Sequence, residues 1–425
     1  MSLPLPLRTV VQLMAGVDWV LLLATAFLIA VGLSTLRWSQ QTPGYFDKQI
    51  DFMAVGLILL VVSSRIPPSF WTQKYFVSLA YVVNLALLLA VMIKGHAAQG
   101  AQRWLAIGPI TLQPSEIAKL VVIFTLAAWL GRRPIRRFSD IFLAIALILP
   151  PAVLVFKQPD LGTSLTFGAL FLGMTYWAGA TLTDLVILMS PLLSLILNAT
   201  NQMWWLSFIG ILGLWLVLVW RRKEWRFVVR LLLIVVILLT NFACGEVRPQ
   251  LWGLLKEYQQ KRLTSFVNPY VDPRGSGYHI LQSLIAIGSG GLAGTGLGKG
   301  NQSQGAFIPE RHTDFIFAVV GEELGFKISA LVIVAYALIC FRALSAASHC
   351  KEDLQASTMA IGLLCLFLFH VFLNVGMTMG IMPVAGVPLP FLSYGGTAVL
   401  VDLVAIGLLQ AIQFAHPKPI EAKWK

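Results

Sequence analysis

Apolar residues in this chain come in long unbroken runs, each ended by a charge, a glycine or a proline. The runs are Val20–Leu36, Phe52–Val62, Phe76–Ile93, Leu112–Leu130, Ile141–Phe156, Leu161–Ala178, Leu185–Leu197, Met203–Trp220, Phe227–Cys244, Phe315–Cys340, Thr358–Met379 and Phe391–Phe414. A bilayer-spanning helix needs ~20 mostly apolar residues, so the pattern predicts about 12 transmembrane helices. Phe52–Val62 and Leu185–Leu197 are short for that task, which leaves their ends open. The fold class is all-α, a polytopic integral membrane protein. No tandem or inverted repeat stands out.

Composition agrees: 57% of residues are hydrophobic and 12% charged, whereas a soluble domain carries about 25% charge. The first run is too long for a signal-peptide core and lacks a small-residue cleavage site, so it reads as an uncleaved span. Cys244, Cys340, Cys350 and Cys365 show no metal-ligand spacing and read as small buried hydrophobes.

The net charge of +12 points to topology and not to nucleic acid. With the N-terminus inside, the inner loops hold Arg132, Arg133, Arg136, Arg137, Arg221, Arg222, Lys223, Arg226, Arg342 and Lys351, and the tail holds Lys418, Lys423 and Lys425. The short outer loops hold only Arg37, Lys48, Lys94, Arg103 and Lys157. This asymmetry places both termini in the cytoplasm.

The one long loop, residues 245–313, then lies outside. A loop of that length inside a compact protein is usually functional. Its first part, LWGLLKEYQQKRLTSFVNP, reads as an amphipathic helix on the membrane surface or as a cap packed on the bundle. A turn cluster at Asp272–Tyr278 follows, then a glycine series from Gly288 to Gly300. GTGLGKGN is not a P-loop: Ala293 stands at the first glycine position and Gly300 replaces the Ser/Thr. The glycines suit close packing against helices, with Lys299 near a phosphate as the sharper alternative.

Charges inside spans are costly and tend to line polar cavities. Glu116 and Lys119, in QPSEIAK, share a helix face and can pair, either as a strut or with Lys119 holding a phosphate. Asp160, in QPDLGTS, suits a helix N-cap. Asp314 begins the span after the long loop, with Glu310, Arg311 and His312 beside it; capping is its structural alternative. Glu322 and Glu323 are expected to pair with Lys327 in a buried network. Asp184 and Asp402 read as structural hydrogen-bonders, and His370 as an interhelical donor. Pro383, Pro388 and Pro390 forbid a regular helix after Asn374, and Ser393, Tyr394, Gly395 and Gly396 open the last span. Broken backbone at membrane depth must line a cavity or be covered by protein.

Four stretches in order resemble the SEDS (shape, elongation, division and sporulation) family: QPSEIAK, QPDLGTS, the run from GSGYHILQS through PERHTDFIFAVVGEELG, and GIMPVAGVPLPFLSYGG. The resemblance covers most of residues 1–425 as one membrane domain. The arginine of PERHTD and the GSGYHILQS segment resemble the elongation, RodA-type branch more than the division, FtsW-type branch. The family usually has about ten spans, so residues 185–220 read as an extra helix pair whose role is open.

The resemblance implies a peptidoglycan glycosyltransferase in the bacterial cytoplasmic membrane that polymerises lipid II at its outer face with a class B penicillin-binding protein. It implies Asp314 as the catalytic carboxylate, and Glu116, Lys119, Arg103 and Asp160 as substrate- or pyrophosphate-binding positions. An inverting displacement needs a base but no enzyme nucleophile, and Asp314 suits the base. The departing pyrophosphate needs positive charge from Lys119, Arg103 or a divalent cation such as Mg or Mn. Any such ion would be held by carboxylates and pyrophosphate oxygens. Two other readings fit the same residues: a lipid II flippase, and a non-catalytic scaffold for wall enzymes.

Overall fold

The computed structural model describes residues 16–38, 44–98, 101–107, 110–220, 227–246, 260, 270, 277–305, 307–308 and 310–416.

 Between residues 305 and 416, only 306 and 309 fall outside that description. The amphipathic stretch 251–266, the basic loop 221–226 and the tail lysines lie almost wholly outside the described residues.

Among the described residues, eight helices are long and apolar enough to cross a membrane, and the chain is a multi-pass membrane protein. The first compact unit takes in residues 1–179 and 265–425. Its helices open with α1 (Trp19–Arg37), α2 (Tyr45–Arg65), α3 (Lys74–Lys94), α4 (Pro114–Leu130), α5 (Phe138–Lys157) and α6 (Leu161–Trp177). Asp18 caps α1 by accepting from Leu21 N–H, and Pro114 starts α4 where its missing N–H costs nothing. The short run Phe52–Val62 lies inside the longer α2, because the polar turn holding Asp47, Lys48 and Asp51 is also helical. Acidic side chains are favoured at that end of a helix.

Between α3 and α4 the chain forms a small antiparallel sheet, β1 (His96–Ala98), β2 (Ala101–Ile107) and β3 (Ile110–Leu112), in that order. Apolar runs alone do not predict it. Leu105 pairs with Leu112 and Ile107 with Ile110.

The second compact unit, residues 180–264, contains α7 (Leu182–Thr200), α8 (Gln202–Trp220) and α9 (Phe227–Glu246). Thr181 and Asp184 form a capping box that starts α7 earlier than the apolar run Leu185–Leu197. The residues expected as an extra pair thus form α7 and α8, with α9 in the same unit. Inside it, Asn241 accepts from Ser194 Oγ at 2.8 Å and donates to Ser190 Oγ at 2.9 Å.

In the first unit the chain continues through α10 (Tyr278–Gly290), α11 (Ile316–His349), α12 (Leu354–Thr378) and α13 (Gly396–Ala415). Part of the long segment 245–313 is therefore helical. α11 runs past the expected end at Cys340 and is interrupted at Gly325, whose φ of 73° and ψ of −176° are not helical. A Cβ there would meet Gly294 N at 2.2 Å, so only glycine admits this crossing. α4, α12 and α13 are buried around most of their circumference and form the centre of this unit. One end of the unit is latched by Asp18, which accepts from Arg342 Nε at 2.5 Å and Gln413 Nε2 at 2.6 Å. The opposite end carries the expected site.

Candidate active site

Two non-helical segments build the site. Residues 310–315 form a tight turn ahead of α11. Glu310 sits at φ 50°, and its carbonyl accepts from the N–H groups of Thr313, Asp314 and Phe315 at 3.1, 3.0 and 3.2 Å. Residues 380–395 form the irregular connection from α12 to α13 that the prolines predict. Phe391 there has φ 67°, an uncommon conformation for a bulky side chain and one that clusters at functional sites.

Asp314 is half-buried. It does not cap α11: Phe315 occupies the cap position, without a side-chain hydrogen bond. This removes the simplest structural account of Asp314. Its Oδ2 lies 3.3 Å from the position a Cβ would take on Gly386, so the carboxylate rests against the 380–395 segment. On the other side of that segment, a Cβ on Gly162 would meet Val387 Cγ2 at 2.3 Å and the Ala385 carbonyl at 2.9 Å. Residues 385–387 therefore pass between Asp314 and the start of α6.

Asp160 opens α6 as its N-cap, as its residue type predicts, accepting from Thr163 N–H at 3.3 Å. Its Oδ2 also accepts from Thr163 Oγ1 at 3.0 Å, Ser115 Oγ at 3.2 Å and Gln113 Nε2 at 3.4 Å. Arg103, on β2, reaches over this turn. Its Nη1 is 4.0 Å from Asp160 Oδ1, its Nε donates to the Gln158 carbonyl at 3.3 Å, and its Nη2 donates to the Pro159 carbonyl. The sheet thus places a cation beside the carboxylate of α6.

Glu116 and Lys119 pair at 2.6 Å, both buried on α4. Lys119 Nζ also lies 3.3 Å from His370 Nε2. An ammonium has only protons to give, so Nε2 accepts, reversing the donor role expected of His370. His370 Nδ1 is left without a partner among the described residues. Asp402 on α13 is buried and within electrostatic reach of Lys119 and Glu116. Four titratable side chains from α4, α12 and α13 therefore converge, of which the sequence paired only Glu116 and Lys119.

Glu322 and Glu323 are buried, as expected, but Lys327 is exposed and is not their neutralising partner. Glu322 instead accepts from Gln302 N–H at 2.7 Å and Ser303 N–H at 2.8 Å, at the start of the one-turn helix Asn301–Gln304. Glu323 accepts from Gly298 N–H at 3.1 Å, Ser303 Oγ at 2.8 Å and Gln304 Nε2 at 3.0 Å. Close packing, the plainer reading of the glycine series, is what the structure shows: a Cβ on Gly290 would lie 1.9 Å from the Gly321 carbonyl.

Arg311 is buried with neither Nη partnered among the described residues. Burial lowers its affinity for the proton, and the nearby Glu323 charge opposes that shift. His312 is likewise pushed below the usual histidine range, first by burial; Glu310 opposes the shift and Arg311 adds to it. The His312 ring stacks on Tyr45 at 4.7 Å, and Tyr45 stacks on Tyr394 at 4.4 Å. These half-buried rings form an aromatic ledge beside Asp314.

The donor set does not form a ready cation cage. Among the described residues, no three His, Cys, Asp or Glu side chains converge in metal-ligand fashion. Glu116 is committed to Lys119, and Asp160 to hydroxyl, amide and backbone donors.

Of the residues singled out from the sequence, Asp314, Asp160, Arg103, Glu116 and Lys119, the structure brings Arg103 and Asp160 together and Glu116 and Lys119 together. Sequence reasoning missed Gln49, Gly386 and the holding roles of Asn374 and Ser393. The one available signal was the presence of an asparagine in an otherwise apolar span.

Comparison with known proteins agrees with this architecture. The family model for FtsW, RodA and SpoVE, described as "Cell cycle protein", matches residues 12–205 and 206–417. The peptidoglycan glycosyltransferase MrdB of Escherichia coli K12 is 36% identical over 394 residues, covering 92% of each chain. The peptidoglycan glycosyltransferase RodA of Treponema pallidum is 34% identical, covering 93% of this chain and 97% of its own. A solved structure from work on the structural coordination of polymerization and crosslinking by a peptidoglycan synthase complex is 28% identical, with a TM-score of 0.69 over 94% of this chain and 98% of the other. The crystal structure of Thermus thermophilus RodA, 24% identical with a TM-score of 0.61, speaks to the fold alone. The chain belongs to the FtsW/RodA/SpoVE family.

Proposed function

We propose that this chain is a peptidoglycan glycosyltransferase of the elongation type, polymerising lipid II with Asp314 as general base. The activity follows from relatives named for it across more than nine-tenths of the chain. The observation that carries the residue assignment is the placement of Asp314: half-buried, in a turn braced against broken backbone, and not spent on capping α11. A base must come within hydrogen-bond reach of the hydroxyl it activates.

In this reading the sugar hydroxyl of one lipid-linked disaccharide loses its proton to Asp314. The oxygen attacks the anomeric carbon of the other chain, and the polyprenyl pyrophosphate departs with the bonding electron pair. Configuration inverts in one displacement. Arg103 is the partly exposed cation nearest Asp160 and suits the departing phosphates. Lys119 is buried between Glu116 and His370, so its effect on substrate would be exerted through that network.

The positive-inside asymmetry puts both termini in the cytoplasm and the Asp314 end at the outer face of the bacterial cytoplasmic membrane. A class B penicillin-binding protein is the partner that fits a polymerase working alongside crosslinking.

The test is Asp314→Asn, assayed for glycan chains from purified lipid II, alone and with the penicillin-binding partner. Loss of polymer from a stably inserted protein is expected. Chains of normal length and yield would sink the base assignment. Intact polymerisation in detergent combined with lost lipid translocation in vesicles would instead favour a flippase.

A further inference from the structure

Three consecutive carbonyls of the turn carrying Asp314 are held from outside it. His312 O accepts from Tyr394 N–H at 2.8 Å. Thr313 O accepts from Ser393 Oγ at 2.5 Å. Asp314 O accepts from Asn374 Nδ2 at 2.9 Å. The two side chains involved also hold the broken segment. Ser393 Oγ accepts from Leu389 N–H at 2.8 Å, and Asn374 Nδ2 donates to the Val387 carbonyl at 2.8 Å. Gln49 on α2 braces Ser393 in turn: its Nε2 donates to Ser393 O at 3.1 Å, and its Oε1 accepts from Gly395 N–H at 3.2 Å. Asn374, Ser393 and Gln49 are all buried.

We propose that Asn374 and Ser393 are positioning residues for Asp314, with Gln49 as the brace of Ser393. This rests on the reading of Asp314 as the base. Burying polar donors is unfavourable unless they are paired; Asn374 Nδ2 and Ser393 Oγ are both paired, while Asn374 Oδ1 has no partner among the described residues, and these two donors fix the backbone on which the carboxylate is mounted. A displacement of ~1 Å at a reacting group can cost about a hundredfold in rate. The Asn374 amide needs protons to serve both carbonyls, and aspartate at that position has none to give when ionised. The Ser393 hydroxyl donates and accepts at once, so threonine preserves the function and alanine abolishes it.

The experiment uses the full-length protein with its penicillin-binding partner and measures kcat and KM for lipid II polymerisation in Ser393→Ala, Ser393→Thr and Asn374→Asp. Ser393→Ala and Asn374→Asp are expected to lose about tenfold to a hundredfold in kcat, with KM changed by less than about twofold because binding contacts are left in place. Ser393→Thr is expected to keep most of the rate. Unchanged kcat in Ser393→Ala overturns the proposal, as does a loss that Ser393→Thr shares in full or one expressed mainly in KM. Should Asn374→Asp fail to accumulate, the Ser393 pair carries the test alone. Asp314→Asn, measured alongside, separates the two readings. If it keeps its rate, the base assignment fails; if it alone loses rate, only the positioning assignment fails.

Discussion

Removing one member of the buried Glu116–Lys119 pair should destabilise the protein far more than removing both. The pair is 2.6 Å apart, and both side chains are buried. Lys119→Met leaves a carboxylate in a low-dielectric helix interior, and loss of one partner from such a pair costs about 3–5 kcal/mol. Glu116→Gln should cost less, because Lys119 keeps His370 Nε2 at 3.3 Å. The double variant, Glu116→Gln with Lys119→Met, should fall within about 1 kcal/mol of the parent, since replacing both charges is often neutral. The assay is a double-mutant cycle on thermal unfolding in detergent, with lipid II polymerisation measured on each protein. Lys119→Met should lower the midpoint by on the order of 5 °C, and the double variant should recover most of it. Because both side chains are buried, the double variant should also recover most of the polymerising rate. Additive single costs would refute the pairing argument. Restored stability without restored rate would refute the strut and favour direct contact of Lys119 with phosphate.

Two further outcomes follow from the loops. Gly386 and Gly380 have φ of 68° and 69°, but a Cβ on Gly386 would lie 3.3 Å from Asp314 Oδ2, whereas one on Gly380 would meet Ile280 and Leu284. Gly386→Ala and Gly380→Ala should each lose about 1–2 kcal/mol of stability, while only Gly386→Ala loses polymerisation; equal activity losses would deny the Asp314 contact. His312, held below the histidine range by burial, favours its neutral form in the folded protein. Its contribution to stability is therefore present above the unfolded value of about 6.5 and is lost as the pH falls through the lower folded value. Unfolding midpoints measured downward from neutral pH should fall more gently in His312→Gln than in the parent. Parallel curves would exclude this group as the cause.

The local features of the site were legible because local spacing determines them. Glu116 and Lys119 lie one turn apart on α4, and Asp160 and Asp184 stand where helix N-termini present unpaired N–H groups. The apolar runs located the spans, though not the polar first turn of α2 or the break at Gly325. The errors share one cause. Lys327 was matched to Glu322 and Glu323 by helical proximity, yet the actual donors lie far back along the chain, at Gly298, Gln302, Ser303 and Gln304. Capping, the structural alternative for Asp314, rested on adjacency in the same way, whereas the surroundings of Asp314 are set by Asn374 and Gly386. No spacing rule reaches contacts of that separation.

The broken segment 380–395 explains why the site needs irregular backbone at all. Inside a regular helix, backbone N–H groups are taken by carbonyls four residues back. Interrupting the helix after Thr378 frees Tyr394 N–H and the Ser393 hydroxyl to face another chain segment, and they hold His312 and Thr313. The turn at 310–315 is itself strained at Glu310, which sits at φ 50°. Strained backbone persists only where its surroundings over-determine it, and the donors at Tyr394, Ser393 and Asn374 supply that constraint. The prolines that end the apolar periodicity thus belong to the same device as the carboxylate some 70 residues earlier, and changing either should alter the rate through the other.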